Sequence, residues 1–202
     1  FSATSRSRNN MDTVIVCTGV ANVASVAASL KRAGAKPRTS IESADVASAP
    51  LVVIPGVGTF GASMDALASS PGLIDAIKAR LASNLPTLFV CVGLQILAAC
   101  SDESPGVNGL GVLASANVVK FDNVASRPIP QQGWAKVKPM ASAAGDIISR
   151  PGYAFFSNSF CLRSVPLGWS AAIASYGSDY VAALQRGNVL ATQFHPELSG
   201  SF

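Results

Sequence analysis

A thiol, an imidazole and a carboxylate occupy positions from which they could form one reacting set. The thiol is Cys91 in "LPTLFVCVGLQIL" (85–97), where an apolar run stops at the cysteine and resumes past Gly93. A cysteine in such a run is commonly core filler, since free Cys behaves as a small hydrophobe. At the end of a parallel strand, however, a sharp turn into a helix displays its apex side chain at the sheet edge, where the helix dipole favours a thiolate. Gly93, two residues on, would let that turn be tight. The imidazole is His195, the only histidine of the chain, in "TQFHPEL". A lone histidine is most often a satisfied structural group, but Pro196 biases His195 towards extended backbone. His195 and Glu197, at i and i+2, are then expected to project to one side. Cys91, His195 and Glu197 would make a nucleophile, its base and the group that orients the base.

A third stretch, "IPGVGTFGASMDAL" (54–67), puts a glycine-rich turn after a strand. It is neither a complete G-x-G-x-x-G nor a P-loop. It reads either as a plain β-turn or as a backbone-lined anion hole, in which the N–H of Val57 and that of Val92 point at a developing oxyanion.

The elements that must position these residues follow from periodicity. "TVIVCT" (13–18), "APLVVIPG" (49–56) and "PTLFVC" (86–91) read as buried strands. "NVASVAASLKRAG", "GASMDALASS", "GLIDAIKARLAS" and the run opening at "GLQILAAC" read as helical. Continuous apolar strands alternating with helices predict an α/β fold, a mostly parallel sheet with helices on both faces. After Pro105 the texture shifts to short strand-like runs with Gly, Asn and Asp turns: "GLGVLASANVVKF", "YAFFSNSF", "WSAAIASY" and "YVAALQRGNVLATQF". These predict an antiparallel extension. With no repeat and no low-complexity linker, a single domain is expected over 11–202.

Of 202 residues, 49% are hydrophobic and 13% charged, with a formal charge of +4. No basic run interleaved with aromatics argues for nucleic acid, and no apolar run approaches a membrane span. The four cysteines lack a C-x-x-C pair or a histidine at zinc spacing, so neither a structural metal nor a disulfide framework is expected, and no cofactor is implied. The opening "FSATSRSRNN" is Ser-rich, carries Arg6 and Arg8, and has no acid, in the manner of a transit-peptide remnant. A flexible tail reads the same way. Residues 1–10 are therefore expected to be disordered or a remnant, with a mitochondrial or plastid location and a cytoplasmic one as the alternative.

Together, "PGVGTFGASMDAL", "CVGLQIL" and "TQFHPELSG" resemble the class I glutamine amidotransferase subunit of imidazole glycerol phosphate synthase, in histidine biosynthesis. The resemblance extends through "GLGVL", "PIPQQGW", "FFSNSF", "YGSDYVAAL" and "RGNVLATQ", and is nearest to the bifunctional eukaryotic type. It implies a flavodoxin-like domain that hydrolyses glutamine and passes ammonia to a (β/α)8-barrel cyclase. It further implies that Cys91 attacks the amide, His195 shuttles the proton, Glu197 holds His195, Gly58 and Gln95 line the glutamine pocket, and Val57 and Val92 supply oxyanion donors.

The sequence departs from the family pattern at several places. Phe89 stands where the family keeps a glycine two residues before the nucleophile, and would either crowd Cys91 or refill the sheet. Gln131 or Gln132, and Asn158, hold positions that are histidine in the family, and Leu198 replaces a lysine that faces the cyclase. A second reading follows: a catalytically weak or inactive amidotransferase-like domain serving as a structural subunit of a larger, organellar complex.

Overall fold

The computed structural model describes residues 10–17, 22–56, 58–122, 127–141 and 146–200. The opening decapeptide up to Asn9, together with Val57, therefore lies outside the described residues, as does most of the turn after β1.

The first half alternates strands and helices: β1 (Met11–Val16), α1 (Val23–Arg32), β2 (Ala35–Ser40), α2 (Ser43–Ser48), β3 (Leu51–Gly56), α3 (Phe60–Ala68), α4 (Leu73–Ala82), β4 (Thr87–Cys91) and α5 (Val92–Gln95). The second half is almost all strand: β5 (Ala98–Ser101), β6 (Leu113–Lys120), β7 (Gln131–Pro139), β8 (Gly152–Asn158), β9 (Phe160–Leu162), β10 (Ser170–Tyr176), β11 (Ser178–Arg186) and β12 (Val189–Thr192). Nine strands form one sheet in the order β2-β1-β3-β4-β12-β11-β10-β7-β8, and β5-β6-β9 form a small second one. From β2 to β12 every pair is parallel, and from β12 to β8 every pair is antiparallel. The expected parallel sheet and antiparallel extension are thus one continuous sheet.

Local chemistry explains the helix ends. The Asn22 side chain accepts from Ser25 N at the start of α1, and Lys31 and Arg32 sit in its last turn, against the negative end of the dipole. Thr59 caps α3 by accepting from Ala62 N. The helices fall into two packing groups: α1 lies against the Pro196–Leu198 turn, while α2, α3, α4 and α5 contact one another. The main core runs beneath them through Val14, Val52, Val53, Phe60, Leu67, Ile77 and Phe89. A second core in the antiparallel half is aromatic, with Tyr180 edge-on to both Phe121 and Phe156.

Several elements differ from expectation, two of them instructively. "GLQILAAC" was expected to open a full helix, but α5 is a single turn and Ala98–Ser101 becomes a strand. The carbonyls a longer helix would need are taken elsewhere: Ile96 O accepts Leu110 N, Leu97 O accepts Leu113 N, and Ala98 O accepts Gly111 N. Strand β2, "AKPRTS", carried no apolar signal because it is a sheet edge, where Pro37 is tolerated within a ladder.

Arg80 locks the start of β4. Its side chain is 1% exposed, and its guanidinium donates to the carbonyls of Val46, Ala49 and Pro86 at 2.9, 2.8 and 2.7 Å. Burial lowers its pKa, while the converging carbonyls give it its hydrogen bonds. Arg80→Leu leaves those acceptors buried without a donor, so urea denaturation should show a loss of about 2–4 kcal/mol, well above a simple surface change.

Candidate functional site

The site forms where three parallel strands end side by side. In register, Gly56 of β3 sits opposite Cys91 of β4, and Val90 of β4 opposite Thr192 of β12. The chain beyond β3 therefore carries Gly58, and the chain beyond β12 carries Gln193 and His195, to the same carboxyl edge as Cys91. Parallel sheets bind ligands at that edge because the turns there are free to be shaped.

Cys91 lies on a strained turn. Its φ is 58° and ψ −113°, a backbone conformation that L-residues other than glycine rarely hold and that costs roughly 1–3 kcal/mol. Packing enforces it. A Cβ on Gly93 would run into the Ile54 carbonyl oxygen, and one on Gly56 would lie 2.5 Å from Gly93 N. The turn is thus pressed flat against β3. The expected contribution of a helix dipole is corrected by the brevity of α5: with four residues it offers a single turn of peptide dipoles.

His195 and Glu197 meet, although not as expected. Only His195 is extended, with φ −96° and ψ 98°; Glu197 lies in a 3-10 turn over Pro196–Leu198. The turn, rather than an extended i, i+2 register, brings the carboxylate to the ring, with His195 Nδ1 2.9 Å from Glu197 Oε1. Backbone clamps hold this turn. His195 N donates to Phe155 O, while the Ser199 hydroxyl donates to His195 O and accepts from Phe155 N. Nδ1 is thus committed to Glu197, and the nearby Cys91 joins Glu197 in acting on the charge of the imidazole.

The side chains of His195 and Glu197 are only 10% and 6% exposed. Burial works against a charged imidazole, but Cys91 and Glu197 outweigh it and push the His195 pKa up to about 10.

A cavity of about 200 Å³ opens over Cys91, lined by Gly58, Val92, Gln95, Glu103, Asn158 and Phe160 among others. Gly58, Val92 and Gln95 from the sequence reading therefore border one space with the thiol. Val57, the other expected oxyanion donor, lies outside the described residues. A larger hollow of about 480 Å³ opens beside Lys136, Lys138 and Ser175, away from the thiol and imidazole. Among the described residues no cluster of His, Cys, Asp or Glu is placed to hold a metal. None of the described helices is long and apolar enough to cross a membrane.

Sequence reasoning missed Glu103 and Gln193. Glu103 Oε2 accepts the Phe60 N–H at 2.7 Å, which ties the loop after β5 to the start of α3 and brings a carboxylate to the cavity wall. Gln193 is fully buried with its amide against Cys91 and Gln95. Its only sequence signal was its place two residues before His195.

The family model for glutamine amidotransferase class-I matches residues 2–201. The chain belongs to the class-I glutamine amidotransferases. Among curated relatives of this amidotransferase, the imidazole glycerol phosphate synthase subunit HisH of Deinococcus radiodurans is 38% identical over 189 residues, covering 91% of this chain and 85% of that protein. HisH of Salmonella typhimurium is 37% identical over 192 residues, covering 95% and 94%. Among solved structures, a glutamine amidotransferase crystal structure superposes with a TM-score of 0.71 at 20% identity, over 92% of this chain and 90% of that one. The glutaminase domain of Trypanosoma brucei CTPS, with bound acivicin, gives 0.63 at 14%, over 93% and 86%. These last two likenesses speak for the fold.

The amidotransferase also answers what its departures do. Phe89 is fully buried in the main core, between Ile54 and Ala191 of the neighbouring strands, so the ring refills the sheet. Of the two glutamines, Gln131 turns inward, opposite Asn158, and accepts from the Tyr180 hydroxyl at 2.8 Å, whereas Gln132 is exposed. Leu198 is 43% exposed.

The raised His195 pKa gives a pH dependence with a definite sign. Because the folded state holds the proton more tightly than the unfolded chain, this contribution is complete below about 6.5 and is lost as pH rises towards 10. Glu197→Gln removes one of the groups that hold it there. The stability difference between wild type and variant, measured by urea denaturation, should be largest near the acid end of that interval and shrink as pH approaches 10.

Proposed function

We propose that this chain hydrolyses glutamine through Cys91, His195 and Glu197, and delivers the ammonia to a (β/α)8-barrel cyclase, as an imidazole glycerol phosphate synthase subunit of the HisH kind. The observation that carries this reading is the His195 Nδ1–Glu197 Oε1 contact at 2.9 Å, with Cys91 raising the charge state of the same imidazole and bordering a cavity of about 200 Å³. That volume is below the roughly 300–1,000 Å³ typical of drug-sized ligands and suits a single small amino acid. Likeness to HisH at 37–38% identity over most of both chains supports the same assignment.

In this mechanism the Cys91 sulfur attacks the side-chain amide carbon, and the N–H of Val92 meets the oxyanion, with Val57 the second donor. His195 passes its proton to the departing nitrogen, which leaves as ammonia, and a thioester remains on Cys91. Water, relieved of a proton by His195, attacks the thioester, and the S–C bond breaks to give glutamate. Glu197 keeps the ring aligned through both steps. Gly58 and Gln95 contact the substrate, and the Glu103 carboxylate, already on the cavity wall, offers a counter-charge to its ammonium group. Ammonia must then leave towards the cyclase without meeting bulk water as its main partner, so the glutaminase and the barrel act as a complex.

The second reading, a structural amidotransferase-like subunit of a larger organellar assembly, draws on Leu198 and the low charge content. A glutamine-analogue electrophile separates the two. With the cyclase present, Cys91 should acquire a covalent adduct, detected as a mass shift on the peptide containing residue 91, and His195→Ala should slow the labelling by about a hundredfold or more. Absence of any Cys91 adduct in the complex would leave the structural reading standing alone.

A further inference from the structure

We propose that Gln193 is a positioning residue for the nucleophile, one arm of an amide relay that runs from the Phe160 carbonyl through Gln95 to the Cys91 sulfur. The inference rests on the glutaminase reading above and adds a residue to it. Three hydrogen bonds fix the relay. Gln95 Nε2 donates to Phe160 O at 2.9 Å and to Gln193 Oε1 at 3.0 Å. Gln193 Nε2 then donates to Cys91 Sγ at 3.7 Å, an ordinary reach for a sulfur acceptor.

The direction of each amide is forced. A carbonyl can only accept, so Phe160 O turns the Gln95 side chain with its NH2 group inward; Asn158 Nδ2 donates to the same oxygen at 3.0 Å. The Gln95 NH2 group then requires an acceptor from Gln193, which leaves the Gln193 NH2 group for the sulfur. Gln193 is 0% exposed and its backbone N–H is occupied by Ala182 O, so its side-chain amide has no water to replace its two partners.

The consequence is a nucleophile held from two directions. Gln193 leaves the end of β12 two residues before His195 and donates to the sulfur on one side, while the thiol reaches Ser157 O at 4.0 Å on the other. A donor aimed at the sulfur limits rotation of the side chain, while His195 remains free to exchange the proton. Gln95 also borders the cavity, so the relay links the group that meets substrate to the group that aims the thiol.

The test uses the full chain with its cyclase. Gln193→Met keeps length and removes the donor; Gln193→Glu keeps shape and turns an acceptor towards the sulfur. Gln193→Met should lower kcat about ten- to a hundredfold with KM within about twofold of wild type, and Gln193→Glu should lower it further. In a Cys17→Ser, Cys100→Ser background, iodoacetamide should alkylate Cys91 more slowly in both variants at unchanged circular dichroism. Should either variant fail to fold, the amide resonance of Gln193 in the wild-type residue context still reports: Cys91→Ser should shift it, and an unmoved signal overturns the relay. An unchanged kcat in Gln193→Met, or a loss confined to KM, also overturns it. If the wild-type complex itself neither turns over glutamine nor labels, the glutaminase reading is what has failed, and the resonance shift alone then decides the relay.

Discussion

Everything at the candidate site depends on one backbone turn, the step from β4 into α5 at Cys91. Its positive φ would relax in isolation, because nothing in the residue's own chemistry favours it. It persists because the turn is trapped between strands. On one side the Ile54 carbonyl lies so close that only glycine fits at position 93, and on the other β12 runs parallel to β4 and closes the gap. Strain at the nucleophile is therefore a product of sheet order: remove either flanking strand and the turn has no reason to stay. Arg80 belongs to the same constraint at the opposite end of β4, tying α2 and the entry to the strand so that its register is fixed before the chain reaches Cys91.

The electrostatics follow from burial of that edge. A histidine, a carboxylate and a thiol are brought into a space with little water, where an unpaired charge would be costly. They are tolerated because each answers another: Glu197 holds Nδ1, Cys91 and Glu197 together favour the charged ring, and the amides of Gln95 and Gln193 supply donors rather than more charge. The positive charge on His195 persists well above its usual range because its two neighbours outweigh desolvation. The low overall charge of the chain is no obstacle, since the site needs a few well-placed groups and not a field.

Strong local constraints made some of this legible in the sequence. Gly93 marks the tight turn at Cys91 and Pro196 the extended backbone of His195, although the 3-10 turn that brings Glu197 to the ring carried no such mark, and the continuous apolar strands flanking Cys91 announce a buried parallel sheet. Where geometry is decided by distant partners, the sequence is quiet. Gln193 looks like any polar residue at a strand end until the topology sets β12 beside β4, and Glu103 gains its place only through the Phe60 amide 43 residues away in sequence. Strand β7 went unread because its residues alternate with charges and Gly133 on an exposed edge hairpin. The single turn of α5 was mistaken for a helix because "LQILAAC" has good helix formers, and the competing amides come from 109–113.

Phe89 shows how these levels combine. Two residues before the nucleophile, glycine and phenylalanine place opposite demands on the core: one leaves room beneath the turn, the other fills it. Here the ring is enclosed completely and its Cβ lies near the spot a Gly93 side chain would occupy, 3.6 Å from a Cβ built there. The bulk thus sits below the turn, on the core side, and the cavity opens above it, bordered by Gly58, Gln95 and Asn158. Packing from beneath adds to the pressure that keeps Cys91 in its strained backbone, and the glycine at 93 becomes the more necessary for it. A residue that reads in isolation as an intrusion on the nucleophile is, in this sheet, part of what props it up.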